Sequence, residues 1–372
     1  MNEFAAIGVG LSGMNAAREE LDVTGNNIAN ASTPGYVRER ADLAAMSPPT
    51  PTLLMPGGGA GQGVLVLGTT RLSDPYVDTQ DLSAQADAAG ASQSQAVLSQ
   101  AQAAFNEPGP SGISGQLASF WSQWDAVANN PTDQAARSTL LSTSGALATT
   151  FNQTAAALSQ VRAGASSGAL SDVTQVNQAA AQVAQLNAQI VAAQAGGGNA
   201  AGLADQRDTV VNKLAQLIGV SQRTEANGAV DLLVGSETLV SGVNAATISA
   251  SANPSTGQLS LTWPDRSTVP AGGQIGALSQ AVNTTIPGYL AQLDSAAVAL
   301  KNMVNAQQSA GVSWSGVGTP SQASAAGQPL FTGTGATDLA VAPGMTPGLL
   351  AAGSPSGGPA DGSNAQIGRA HV

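Results

Sequence analysis

Cysteine is absent from all 372 residues. That excludes disulfides and thiol chemistry. The single histidine, His371, stands one residue from the end of the sequence. Ser-His-Asp, Cys-His and histidine-bearing metal sites therefore have no credible members. Charge is scarce as well: 9% of residues are charged, against about 25% in ordinary soluble proteins. The formal net charge is −11, and the 12 basic residues do not cluster, which argues against a nucleic-acid or anionic-membrane footprint. No apolar run reaches about 18 residues, so no transmembrane helix is expected. The N-terminus does not read as a secretory signal, because Glu3 stands where a basic region belongs and the apolar residues are spaced out, not blocked. The polar surface is left to Ser, Thr, Asn, Gln and Gly, and contacts made by such a surface are expected to depend little on salt.

What is present is apolar matter in helical order. Hydrophobic residues make up 42% of a chain long enough for two or three domains. The most informative stretch is Leu11 to Arg40, LSGMNAAREELDVTGNNIANASTPGYVRER. Phe4, Ile7, Leu11, Met14, Leu21 and Ile28 follow alternating steps of three and four when Arg18 and Gly25 are counted as seam positions. That spacing predicts a helix over 2–31 with a narrow coiled-coil seam, which needs another helix to lie against. Gly25-Asn26-Asn27 weakens the helix, and Asn30 to Tyr36 ends it in turn formers, with Pro34 pushing Thr33 towards extended geometry.

Residues 34–80 read as an extended linker, with proline at 48, 49, 51 and 56, three glycines at 57–59, and a short strand around Val64 to Thr70. A helical domain is expected over 81–219. Within it, Ile113, Leu117, Phe120, Trp124 and Val127 mark one buried face, and Asn129 to Asp133 ends that helix and caps the next. A very long helix is expected over about 133–195, with a bend at Gly164 and Gly168 and no domain boundary there; Leu203 to Ile218 forms another. Residues 220–272 change to strand period and carry two hairpin signals, at Asn227-Gly228 and at Asn253 to Gly257, so a small inserted β domain is predicted. Helix returns over 273–311 with Pro287 as a kink. Residues 312–366 form a Gly/Pro-rich partial outer domain, where Phe331, Leu339, Val341 and Met345 suggest short strands. The last six residues, IGRAHV (367–372), match the translation of a common sequencing adapter. The native sequence is thus expected to stop at about Gln366, and the seam to lack an intramolecular partner.

No catalytic, cofactor-binding or metal-ligating residue is identified. Asp205, Arg207 and Asp208 (DQRD) are read as acidic groups near a helix start with local pairing to Arg207. GGGAGQG (57–63) lacks the following Lys-Ser/Thr of a phosphate loop. Phe120, Trp121 and Trp124 are read as core.

The segment GNNIANASTPGY, preceded by LSGMNAAREELDVT, resembles the N-terminal signature of the bacterial flagellar axial proteins, the rod, hook and hook-associated family. Its matching residues are Gly25, Asn26, Asn27, Ile28, Asn30, Thr33, Pro34, Gly35 and Tyr36. GQGVLVLGTTRLSDPYV, FWSQWDAVANNPTDQAARSTLLSTSGALATTFNQ and LADQRDTVVNKLAQLIGVSQ resemble the hook-associated branch. The resemblance implies a mainly α, multidomain axial protein with long coiled-coil-like helices and a small inserted β domain. It implies a structural part at the hook–filament junction, needed for filament assembly and motility, with no enzymatic turnover and no cofactor. Implied partners are further copies of itself, hook protein, hook-associated protein 3 and an export chaperone. The implied location is the extracellular flagellum, reached by type III export without a cleaved signal peptide. Alternatives are another axial protein, an exported enzyme on a rod-type N-terminus, or a free-standing adhesive coiled-coil module.

Overall fold

Alternation of buried and exposed positions along the first helix shapes everything near the N-terminus. The computed structural model of the chain describes residues 3–33, 35–47, 62–314 and 324–366. Pro34, residues 57–61 of the glycine-rich stretch, the six-residue tail and the Phe4 side chain lie outside the described residues. Helix α1 (Glu3–Ala29) runs through Gly25-Asn26-Asn27 without a break. An antiparallel hairpin follows, β1 (Glu39–Ala45) with β2 (Val64–Arg71), in the register Glu39 opposite Arg71 and Ala45 opposite Val64, with a bulge between Asp42 and Leu43. The hairpin lies on α1. Strand β1 is a correction to the reading of 34–80, where one strand was expected. Helix α2 (Pro75–Phe105) begins before residue 81, because Pro75 suits a first turn and the Asp74 carboxylate accepts the Tyr76 N–H at 2.9 Å.

Helices α3 (Ile113–Asn129), α4 (Gln134–Ala195) and α5 (Ala201–Ile218) follow, and the Asp133 carboxylate caps α4 by accepting the Ala135 N–H at 2.8 Å. Strands β3 (Ser221–Thr224), β4 (Val230–Val234), β5 (Glu237–Ser241) and β6 (Asn244–Ala245) form a four-stranded antiparallel sheet in sequence order. Strands β7 (Ser249–Ala252) and β8 (Leu259–Thr262) form the second expected hairpin. Helix α6 (Gly273–Gln280) passes through one π-helical turn, Ala281–Thr285, into α7 (Ile286–Ala310). The expected disturbance at Pro287 takes this form. Proline has no N–H and crowds the carbonyl four residues back, and a widened turn relieves both. Beyond α7, β9 (Val312–Trp314) pairs with β10 (Ser324–Ala326), and β11 (Phe331–Thr332) with β12 (Ala340–Val341). Leu339 is buried beside β12, whereas Met345 closes a turn and joins no strand.

The chain divides into two compact units. One comprises residues 1–92, 169–251 and 260–277; the other comprises 93–168, 252–259 and 278–372. The division falls between Gly168 and Ala169, inside α4, which remains helical throughout. The first unit buries Val173, Val176, Val183, Leu186 and Ile190 of α4, Leu214 and Ile218 of α5, and Val230, Leu232, Val234 and Val240 of the sheet. The second buries Phe120, Trp124 and Val127 of α3, Leu140, Leu147, Phe151 and Leu158 of α4, and Phe331. Phe120 stands edge-on to Trp121 and Trp124, with ring centroids 4.8 and 6.2 Å apart; Phe120 and Trp124 are core as expected, and Trp121 is half-buried at its edge.

A neutral device recurs in both units. A helix asparagine donates its amide to a backbone carbonyl and accepts the N–H of the same residue, copying one step of a strand ladder. Asn177 does this with Ile248, and Asn187 with Val230. Asn283, in the π turn, does it with Leu259, and Asn305 with Phe331. All of these distances lie between 2.8 and 3.2 Å. In a charge-poor chain these amides satisfy strand ends that would otherwise be left unpaired.

Candidate functional site: the signature loop docked on helix α5

Helix α1 carries two stripes. Ser12, Ala16, Glu19, Val23 and Asn27 are buried or half-buried positions, again spaced by three and four, and Asn30 just past the helix end continues them. At 100° per residue this stripe lies roughly opposite the apolar seam. Ala16, Val23 and Ala41 are buried on the hairpin side, and the Val64 N–H donates to the Ser12 hydroxyl at 3.1 Å. The seam residues Ile7, Leu11, Met14, Leu21 and Ile28 are 66, 56, 70, 72 and 73% exposed. Among the described residues, then, the helix faces its hairpin with small and polar groups and leaves its apolar edge in solvent.

The signature residues fold into a knot at the C-terminal end of α1. The Asn27 amide donates to the Glu39 carbonyl and accepts the Glu39 N–H, both at 2.8 Å, and also accepts the Tyr36 hydroxyl at 2.9 Å. One side chain thus fixes the helix end, the loop and the start of β1. Asn30 donates to the Asn26 carbonyl oxygen and side-chain oxygen at 3.1 and 2.7 Å, and Thr33 donates to Asn30. Gly35 has φ +81°, and a Cβ there would sit 2.6 Å from the Thr209 hydroxyl of α5. Only glycine allows both that backbone and that approach. Gly25 has open space around it and meets no such demand. Ile28 is exposed and belongs with the seam.

The knot and β2 meet α5 through charge. One Arg71 nitrogen contacts the Asp205 and Asp208 carboxylates, each at 2.6 Å, across 134 and 137 residues of sequence. All three side chains are less than one-third exposed. Asp205 and Asp208 fall just past the first turn of α5, and the expected local pairing with Arg207 forms at 3.5 Å to Asp208, while the Arg207 guanidinium also donates to the Gly228 carbonyl at 2.8 Å. Asn199 joins the same contact, donating to the Thr69 hydroxyl at 2.6 Å while accepting the Ala201 N–H. A cleft of ≈ 510 Å³ opens between knot and helix, with Asn26, Asn30, Tyr36, Glu39, Asp205 and Gln206 among its lining.

The electrostatics follow from this crowding. Burial lowers the Arg71 pKa, but Asp208 and Asp205 outweigh it and leave it above its ordinary value. Burial, then Asp205, pushes the Glu39 carboxyl up, against smaller opposing effects of Arg71 and Asn199. Burial, then Glu39 and Asp205, raises the Tyr36 hydroxyl. Burial brings Arg207 down, with Asp208 opposing. Asp78 of α2 is raised by burial and then by Asp208. Chemically, the arrangement clamps two elements together. Sequence reasoning found both halves, RLSDPY and DQRD, but had no signal linking them across that separation. Among the described residues no group of three or more His, Cys, Asp or Glu could hold a metal ion, and no helix is long and apolar enough to cross a membrane.

Comparison with known proteins places this architecture. The family model for the helical domain of the flagellar hook-associated protein FlgK matches residues 98–331, and the flagella basal body rod protein model matches residues 7–36. Flagellar hook-associated protein 1 of Bacillus subtilis is 31% identical over 219 residues, covering 58% of this chain and 43% of that protein. The protein of the same name from Salmonella typhimurium is 32% identical over 250 residues, covering 66% and 44%. The solved structure of the flagellar hook junction protein FlgK from Burkholderia pseudomallei superposes with a TM-score of 0.58 at 27% identity, covering 70% of this chain and 46% of that one. The chain spans less than half the length of the curated relatives it matches. With the helical-domain model extending over more than half of its residues, the chain belongs to the flagellar hook-associated protein FlgK family.

Proposed function

We propose that the chain supplies the N-terminal seam and helical body of a structural subunit at the hook–filament junction of the bacterial flagellum, required for filament assembly and motility. The observation that carries this reading is the apolar seam of α1, from Ile7 to Ile28, exposed on the face opposite the one that docks the hairpin. Burying such a stripe contributes roughly 25 cal/mol per Å² of apolar surface. A helix that keeps it in water while its opposite stripe is packed on the hairpin is built to meet a further helix.

The action of the protein is packing, without turnover of a substrate. Seam helices line the inner part of the tube, and the helical and β regions face outward. The partners in this reading are further copies of the chain, hook protein and hook-associated protein 3, with an export chaperone before assembly. The site of action is the extracellular flagellum, reached without a cleaved signal peptide. The signature residues Asn27, Gly35 and Tyr36 tie the seam helix to β1 and to α5. A strain deleted for the gene should retain hooks, shed filament protein into the medium and lose motility. A deletion strain that swims normally overturns the reading.

A further inference from the structure

We infer that Arg71 with Asp205 and Asp208 forms a releasable latch, by which the lobe made of α1 and the β1–β2 hairpin docks on α5 and can leave it without unfolding the rest of its unit. The inference goes beyond the proposed junction role and concerns the chain in solution.

Three observations lead to it. First, charge is placed unevenly. A chain with only 9% charged residues gathers Glu39, Arg71, Asp78, Asp205, Arg207 and Asp208 around one contact. Arg71 makes ion pairs across 134 and 137 residues of sequence, whereas elsewhere helices reach distant backbone groups with neutral amides, as Asn177, Asn187, Asn283 and Asn305 do, or with single charged side chains, as Arg162 and Lys301 do. Second, the lobe keeps its own small apolar core, Ala16, Val23 and Ala41, between helix and hairpin. The groups it turns towards α5 are Gly35, the Thr69 hydroxyl and the Arg71 guanidinium. A contact of this composition opens in water at modest cost, because the separated groups regain hydration and little apolar surface is exposed. Third, Arg71 is bound on one nitrogen by both carboxylates while its buried Nε has no hydrogen-bond partner. The guanidinium is held by charge, not by a full set of donors.

The absence of cysteine supplies the test. Arg18→Cys, at an exposed position on α1, and Lys213→Cys on α5 place two spin labels with no background. The unaltered latch should give one narrow distance distribution. Arg71→Gln should lengthen and broaden it, and speed amide exchange in β2 by roughly tenfold to a hundredfold, the range for losing hydrogen bonds to a charged group. Exchange in β3 to β6 should stay unchanged. Asp205→Asn with Asp208→Asn should act similarly. Combining all three changes should cost less than the sum, because no charge is then left without its partner. An unchanged distribution in the Arg71→Gln chain, strictly additive effects, or loss of the β3 to β6 sheet together with the lobe would each overturn the latch. The junction reading is untouched by any of these outcomes, since it is tested by motility.

Discussion

Asn27 shows how much one neutral side chain does in a chain that avoids charge. Its amide takes both polar groups of Glu39 and the Tyr36 hydroxyl, so Asn27→Ala leaves a half-buried N–H and carbonyl unpaired. The expected loss is about 1–3 kcal/mol, read as faster amide exchange from Tyr36 to Ala41. Gly35 answers a different demand. Gly35→Ala meets both a backbone penalty of about 1–2 kcal/mol and the Thr209 hydroxyl. Adding Thr209→Ala should recover the contact part and leave the backbone part; full recovery would show that φ +81° costs nothing. Glu39 gives a pH signature. Its folded pKa lies above the ordinary 4.5 because of burial and then Asp205, so the folded state holds the proton more tightly than the unfolded state does. Stability should therefore fall as pH rises from 4.5 through the folded value, and stay level above it. Glu39→Gln removes that loss. The variant should melt higher than the parent at neutral pH, and the gap should close as the solution is taken below 4.5. A gap independent of pH would show that the carboxyl is not strained there.

At the scale of elements, most of what periodicity can express was legible. The seam, the long helix over 133–195 and the Phe120, Trp124 and Val127 face all have regular spacing, and α1, α4 and α3 formed accordingly. What escaped has no period. Strand β1 reads ERADLAA, poor in the branched and aromatic residues that mark strands. The asparagine pins are single residues, each defined only by a strand it meets far along the chain. The latch was legible as two fragments but not as one contact, because nothing in Arg71 names Asp205. The pins carry their own prediction. Asn187 is fully buried and serves Val230 and the Gly242 carbonyl. Asn187→Ala should cost about 1–3 kcal/mol in denaturant titration. Gly164 is the converse case: it lies inside α4 with open space at its Cβ position. Gly164→Ala should raise stability by about 1 kcal/mol.

For the whole molecule, the question is which face of α1 belongs to the chain and which to its assembly. The two stripes separate the answers. Val23 is buried against the hairpin. Val23→Asp places a charge in the apolar contact between helix and hairpin, and should loosen the lobe in the isolated chain. Leu11 and Met14 are 56 and 70% exposed, so Leu11→Asp with Met14→Asp removes almost no burial. The isolated double variant should keep its melting temperature, apart from the few tenths of a kcal/mol that Asp costs in a helix relative to Leu or Met. In the proposed assembly the same pair would set two carboxylates in an apolar helix–helix seam, a cost of several kcal/mol repeated in every subunit. Cells carrying the double variant should make hooks, release filament protein and fail to swim, while the purified subunit melts like the parent. If the variant assembled and supported swimming, the seam would be an ordinary exposed edge. If it unfolded on its own, the seam would belong to the core of the chain, and the division of α1 into an inward and an outward face would be wrong.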